Sequence, residues 1–128
     1  MYKKIIVVLV CFALLTVVVS ACRVIDASTI PKNPVVQMGQ ANFLQSTVTI
    51  KKGQPLDLVD SVSSTHVIKN GSWNGTQQQP SKEPNAPTVN FTVNSAGQRQ
   101  TIGPFAVAGT FHIYCTVHQG MNLAITVQ

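Results

Sequence analysis

The chain has 128 residues with a formal net charge of +5, and 45% of them are hydrophobic against 10% charged. That balance excludes a disordered chain and leaves room for one folded domain. Beyond the N-terminal region the basic residues (Lys51, Lys52, Lys69, Lys82, Arg99) are scattered, with no basic stripe carrying interleaved aromatics, so nucleic-acid binding is not expected.

Residues 1–22 read MYKKIIVVLVCFALLTVVVSAC. Lys3 and Lys4 precede an apolar run from Ile5 to Val19, which falls short of the roughly 20 residues a membrane-spanning helix needs. A positive start, a short apolar core and small residues at its end describe an export signal. Val19-Ser20-Ala21-Cys22 resembles a bacterial lipobox, which implies that Cys22 carries lipid and becomes the first mature residue. An ordinary signal peptide or an uncleaved anchor are the alternatives, and all three put the domain outside the cytoplasm. The expected organisation is a signal over 1–21, a lipidated Pro-containing tether over 22–34 and one domain over 35–128. The protein would then sit on the outer face of a bacterial cell membrane or in the periplasm. With Cys11 in the signal and Cys22 lipidated, Cys115 is the one cysteine left in the domain, so no internal disulfide can form.

From Val35 onward the pattern is that of strands. Ser46 to Ile50 alternates polar and apolar residues, Lys51 to Pro55 is a turn, and Leu56 to Val59 reads as the returning strand. His66 lies between two predicted strands. Ser72 to Pro87, rich in Gln, Pro, Asn and Ser, reads as a long exposed loop crossing between sheets. Thr88 to Val93 alternates, Gln100 to Phe105 is a short strand, and Thr110 to Cys115 and Asn122 to Val127 are the clearest strands. Many short strands with Gly and Pro punctuation predict an all-β sandwich or barrel.

The chemistry concentrates in Thr110-Phe-His-Ile-Tyr-Cys115-Thr-Val-His118-Gln-Gly-Met121. Singly, a Cys, a His and a Met have ordinary roles as core filler or surface polar groups. Together, between two strands, they form a soft donor set: thiolate and thioether favour copper, and imidazole binds both of its oxidation states. Zinc held by Cys-His-His is the main competitor, although Met121 and the lack of a nearby carboxylate base speak against a zinc hydrolase. A further ligand must come from elsewhere, and His66 is the best candidate. Strand parity puts Phe111, Ile113 and Cys115 on one face, so His112 and Tyr114 point away and His112 is excluded.

Cys115-x-x-His118-x-x-Met121 after such a strand, with an upstream His, resembles the type 1 copper loop of cupredoxins in its short, amicyanin-like form. The likeness extends from about Val35 through Ile50-Lys51-Lys52-Gly53, Gly109-Thr110-Phe111 and Leu123 to Val127. It implies a cupredoxin-like Greek-key β-sandwich holding one copper ion. His66, Cys115 and His118 would be the trigonal ligands and Met121 the axial one. It also implies a carrier of single electrons between extracytoplasmic redox partners (a cytochrome, a quinol-oxidising complex or an oxidase), and not an enzyme. The exposed edge of His118 would be the electron port, ringed by Gly120 and Pro104 or Phe105. Val67, Thr116 and Val117 are expected to flank the thiolate. Val67 stands where many cupredoxins carry a bracing Asn, and Val117 where many carry Pro, which keeps an amide N–H near the sulfur. A copper-delivery or copper-sequestering protein with the same ligands, or a metal-free binding module on the same sandwich, are the alternatives.

Overall fold

Among the described residues nine strands account for the regular structure: β1 (Val35–Met38), β2 (Thr47–Ile50), β3 (Leu56–Asp60), β4 (His66–Asn74), β5 (Gln77–Pro80), β6 (Asn90–Val93), β7 (Arg99–Ile102), β8 (Gly109–Cys115) and β9 (Asn122–Val127). They come from a computed structural model that describes residues 32–128, of which 33–128 form one unit. The predicted signal over 1–21, its lipobox and Cys22 lie outside the described residues, as does most of the 22–34 tether. Among the described residues there is no helix.

The strands divide into two sheets. The smaller has the order β1-β3-β7, parallel between β1 and β3 (Val36 opposite Leu58) and antiparallel between β3 and β7. The larger runs β2-β9-β8-β4-β5. Its long strand β4 pairs with β6 over His66 to Lys69 and with β5 over Gly71 to Asn74. Alternation drives the packing: Phe111, Ile113 and Cys115 of β8 and Leu123, Ile125 and Val127 of β9 are buried, as are Val36, Met38, Leu56 and Leu58 of the other sheet. Each apolar face covers the other, which is what makes two half-polar sheets stable in water.

Two expectations need correcting. Leu56 to Val59 does not return beside Thr47 to Ile50; β2 pairs in parallel with β9, and β3 belongs to the opposite sheet. The turn at Lys51 to Pro55 therefore carries the chain across the core, tied by hydrogen bonds from Lys52 N to Gln128 O and from Gly53 N to Phe105 O. Nor is Ser72 to Pro87 a loop between sheets. Its first part completes β4, turns at Gly75 and Thr76 and returns as β5. Gly75 has φ 58, the left-handed value that a two-residue hairpin turn takes at its first position. The rest leads to β6, beside β4 in the same sheet. The strand escaped notice because all four β5 residues are exposed, so they show no polar–apolar alternation.

The N-terminal entry is pinned by Asp57. Its carboxylate accepts hydrogen bonds from Thr101 Oγ1 at 2.6 Å, Arg99 Nη1 at 2.7 Å and Asn33 Nδ2 at 3.1 Å. Burial raises its pKa, but the Thr101, Asn33 and Arg99 donors together outweigh that and hold it below the usual carboxylate value. A depressed carboxyl contributes stability above the unfolded value, near pH ~4, and loses it as pH falls through the folded value. Asp57→Asn is expected to unfold at lower urea than wild type at pH 7. The difference should shrink below about pH 4, where wild type loses the contribution. Paired urea titrations at pH 7 and pH 3 check this.

Candidate metal centre

Cys115 is the last residue of β8 and sits opposite Ile68 in β4. His66 lies two residues before Ile68, on the same inward face at the start of β4. The loop that follows Cys115 closes tightly: Cys115 N donates to Met121 O at 3.0 Å and Met121 N to His118 O at 3.2 Å. These pairings gather His66, Cys115 and His118, whose candidate donor atoms all lie within 4.8 Å of one another. Cys115 Sγ is 3.5 Å from His118 Nδ1, and the two imidazoles meet at 4.9 Å between ring centres with 62° between their planes. Cys115 and His66 have no exposure and Met121, at the end of the loop, only 2%; His118 is half-buried.

A metal fits this donor set. Two donors bound to one ion at about 2.0–2.3 Å stand about 3.5–3.8 Å apart in trigonal or tetrahedral geometry, and the Cys115–His118 separation matches. Both ring nitrogens of His66 are buried without a hydrogen-bond partner. Buried polar nitrogens are rarely left so, and a bound ion would satisfy one of them. Burial, and after it the neighbouring His118, pushes the His66 pKa down, while Asp60 and the Gly39 backbone pull it the other way. The net effect favours the neutral imidazole, the form that ligates.

Against the expectation from sequence, a carboxylate lies beside the centre. Asp60 Oδ1 lies 4.0 Å from His66 Nε2, with both side chains fully buried. The signal was present in β3, where Leu56, Leu58 and Asp60 share the inward phase.

No protein-family profile matches the chain, and no curated protein does. Solved structures do. An amicyanin from Paracoccus versutus superposes with a TM-score of 0.57 at 21% identity, over 80% of this chain and 88% of that one. A purple cupredoxin from Nitrosopumilus maritimus gives 0.58 at 17% identity, over 75% and 100%. An amicyanin variant in its reduced Cu(I) form gives 0.57 at 15% identity, over 80% and 89%. The fold is that of a cupredoxin.

In this cupredoxin sandwich the outer side of the Cys115 loop is braced by the β4–β5 hairpin. Trp73 Nε1 donates to Cys115 O at 2.7 Å, and Gln78 Nε2 to Thr116 O at 3.1 Å. Trp73 and Asn122 clamp each other through Trp73 N to Asn122 Oδ1 (2.7 Å) and Asn122 Nδ2 to Trp73 O (3.1 Å). At the start of β4, Val67 O accepts from Thr116 N at 2.8 Å, so Val67 secures the loop through its backbone. The brace that an Asn after His66 would supply thus comes largely from a segment expected to be loop.

Parity holds for β8, with one amendment. His112 faces away from the centre and pairs with Glu83, Nδ1 to Oε1, at 2.6 Å. Tyr114 also faces away but is buried, because the hairpin covers it: its ring meets Trp73 edge-on at 6.1 Å and its hydroxyl donates to Gln78 Oε1. Gly71 makes this possible. At φ 122, a Cβ there would collide with the Gln79 carbonyl and press on Tyr114. Of the residues expected around His118, Gly120 is exposed on the same loop, but Pro104 and Phe105 belong to the other end of the sandwich, where Gly53 N donates to Phe105 O beside the end of β9, and Phe105 is buried against Phe111.

Trp73→Phe keeps the ring and deletes the donor to Cys115 O. The metal-free protein is expected to lose about 0.5–1.5 kcal/mol of stability, the net worth of one hydrogen bond, measured as a shift in the urea midpoint.

Proposed function

We propose that the protein is a mononuclear type 1 copper protein that carries single electrons between redox partners outside the cytoplasm, with copper held by His66, Cys115, His118 and Met121. The observation that supports this reading best is the convergence of one thiol and two imidazoles within 4.8 Å, beside a buried methionine, at one end of a cupredoxin sandwich. Bound copper would supply the one-electron Cu(I)/Cu(II) couple. The chain supplies the rest. Cys115 and Met121 are soft donors suited to Cu(I), and it is the Met121 thioether that speaks for copper over zinc. The likeness to an amicyanin variant in a Cu(I) form supports the same choice of metal.

His66 and Cys115 are shut away from water, whereas His118 keeps one edge toward the surface. That edge is the natural exit for an electron. On the same loop, exposed Val117 offers apolar contact suited to a short-lived docking. The hydrogen bonds that close and brace the loop keep the donors in place, so little rearrangement opposes a change of charge. The lipid proposed at Cys22 would keep the carrier at a membrane surface, within reach of a cytochrome, a quinol-oxidising complex or an oxidase.

Adding Cu(II) to the purified protein is expected to produce a strong thiolate-to-copper band in the visible that bleaches with reductant, and Cys115→Ser should abolish it. A colourless copper complex, or a Cys115→Ser variant that binds copper as well as wild type, would overturn the assignment. A pale, readily exchanged copper would favour delivery or sequestration.

Val117 refines this reading. We take its amide N–H, which a proline would lack, as a donor that would reach the thiolate of the loaded site, where such a bond stabilises Cu(I). Val117→Pro is therefore expected to lower the reduction potential in protein-film voltammetry; an unchanged or higher value refutes the role.

A further inference from the structure

Asp60 is the least comfortable residue in the domain. It ends β3 in the inward phase of Leu56 and Leu58, with no exposure, in a position where an aliphatic side chain is the norm. Burying a carboxylate costs several kcal/mol unless it is paired, so such a group needs a reason. Its partners are few. Oδ1 accepts one bond, from Val62 N at 3.1 Å, and Oδ2 has none. Arg99 is engaged with Asp57. The one group of potentially positive charge found beside Asp60 among the described residues is the His66 ring, Nε2 to Oδ1 at 4.0 Å. That ring is itself fully buried, and the one other polar group beside it is the Gly39 backbone, too poorly placed to satisfy either nitrogen.

A half-satisfied carboxylate facing an unpaired imidazole in a dry core makes sense if a third party acts on the far side of the ring. With Nε2 turned toward Asp60, Nδ1 is the nitrogen left for the centre. Carboxylate–histidine–metal arrangements hold the ring and its tautomer in this way. Resting on the copper reading above, we infer that Asp60 is a positioning residue for His66: it holds the ring as its Nε2–H tautomer, presents Nδ1 to the metal, and biases the site toward the more positive oxidation state. The bias follows from charge. A copper–thiolate unit carries one more positive charge as Cu(II) than as Cu(I), and a carboxylate fixed in a low-dielectric interior favours the more positive form. Asp60 therefore raises Cu(II) affinity more than Cu(I) affinity and lowers the reduction potential.

The test uses Asp60→Asn, which keeps the shape and the acceptor for Val62 N, and Asp60→Ser as a smaller neutral variant. Long-range proton–nitrogen spectra of the metal-free wild type should show the His66 proton on Nε2. Competition titrations with Cu(II) and Cu(I) chelators should show Cu(II) affinity falling about 10- to 100-fold in the variants, with a smaller loss for Cu(I). The potential should rise accordingly. A merely structural role would weaken both oxidation states alike. The inference fails if the wild-type proton sits on Nδ1, or if the ratio of Cu(II) to Cu(I) affinity is unchanged in the variants. Should neither variant fold, the wild-type spectrum alone still decides the tautomer. A wild type that never colours with copper would sink the copper reading instead, and that result is separate from the tautomer measured without metal.

Discussion

The register of β4 against β8 is the constraint on which the centre depends. Ile68 stands opposite Cys115, and from that one pairing His66 arrives at the sulfur from the far side of a long stretch of chain. A sheet has a side-chain period of two, so a slip of one residue would turn His66 outward and Ile68 with it. The apolar core forbids the slip. Ile68 would trade an interior for water, at about 1.5–3 kcal/mol for a large apolar side chain, while Lys69 would be turned into the core. The packing that stabilises the sandwich thus also sets the position of a candidate ligand.

Around that fixed pair the remaining donors come from a hairpin connection. Its two ends are locked by the β8–β9 ladder, which runs to Tyr114 opposite Asn122. Its outer flank leans on Trp73 and Gln78. The result is a graded environment across a few ångströms, dry at His66 and Cys115 and open at His118. Such a gradient lets the same cluster be shielded from solvent and still lie close to a visiting molecule.

Much of this is legible in the residues themselves. The alternation in β8 and β9 is strong because each strand buries one face only, and it yields both the strands and the inward direction of Cys115. The spacing of Cys115, His118 and Met121 is local, so it survives without knowledge of the fold. Contacts made across the molecule are harder to read. Nothing in Leu56 to Val59 says that it joins the opposite sheet, since a turn with Gly53 and Pro55 serves a hairpin or a crossover equally well. The hairpin over Tyr114 is hidden because Gln77 to Pro80 contributes side-chain amides to the brace and no apolar face. Asp60 was in plain view by parity, yet an acidic residue at a strand end reads as the start of a turn.

The position of that hairpin has one more consequence. β5 ends the order of the larger sheet, so its outer backbone is a free edge, the kind of surface on which another chain can add a strand and begin aggregation. Pro80 closes it: lacking an N–H, it gives an incoming strand one donor fewer. An edge guarded in this way protects solubility, and it also keeps foreign strands from prying Trp73 away from the carbonyl of Cys115.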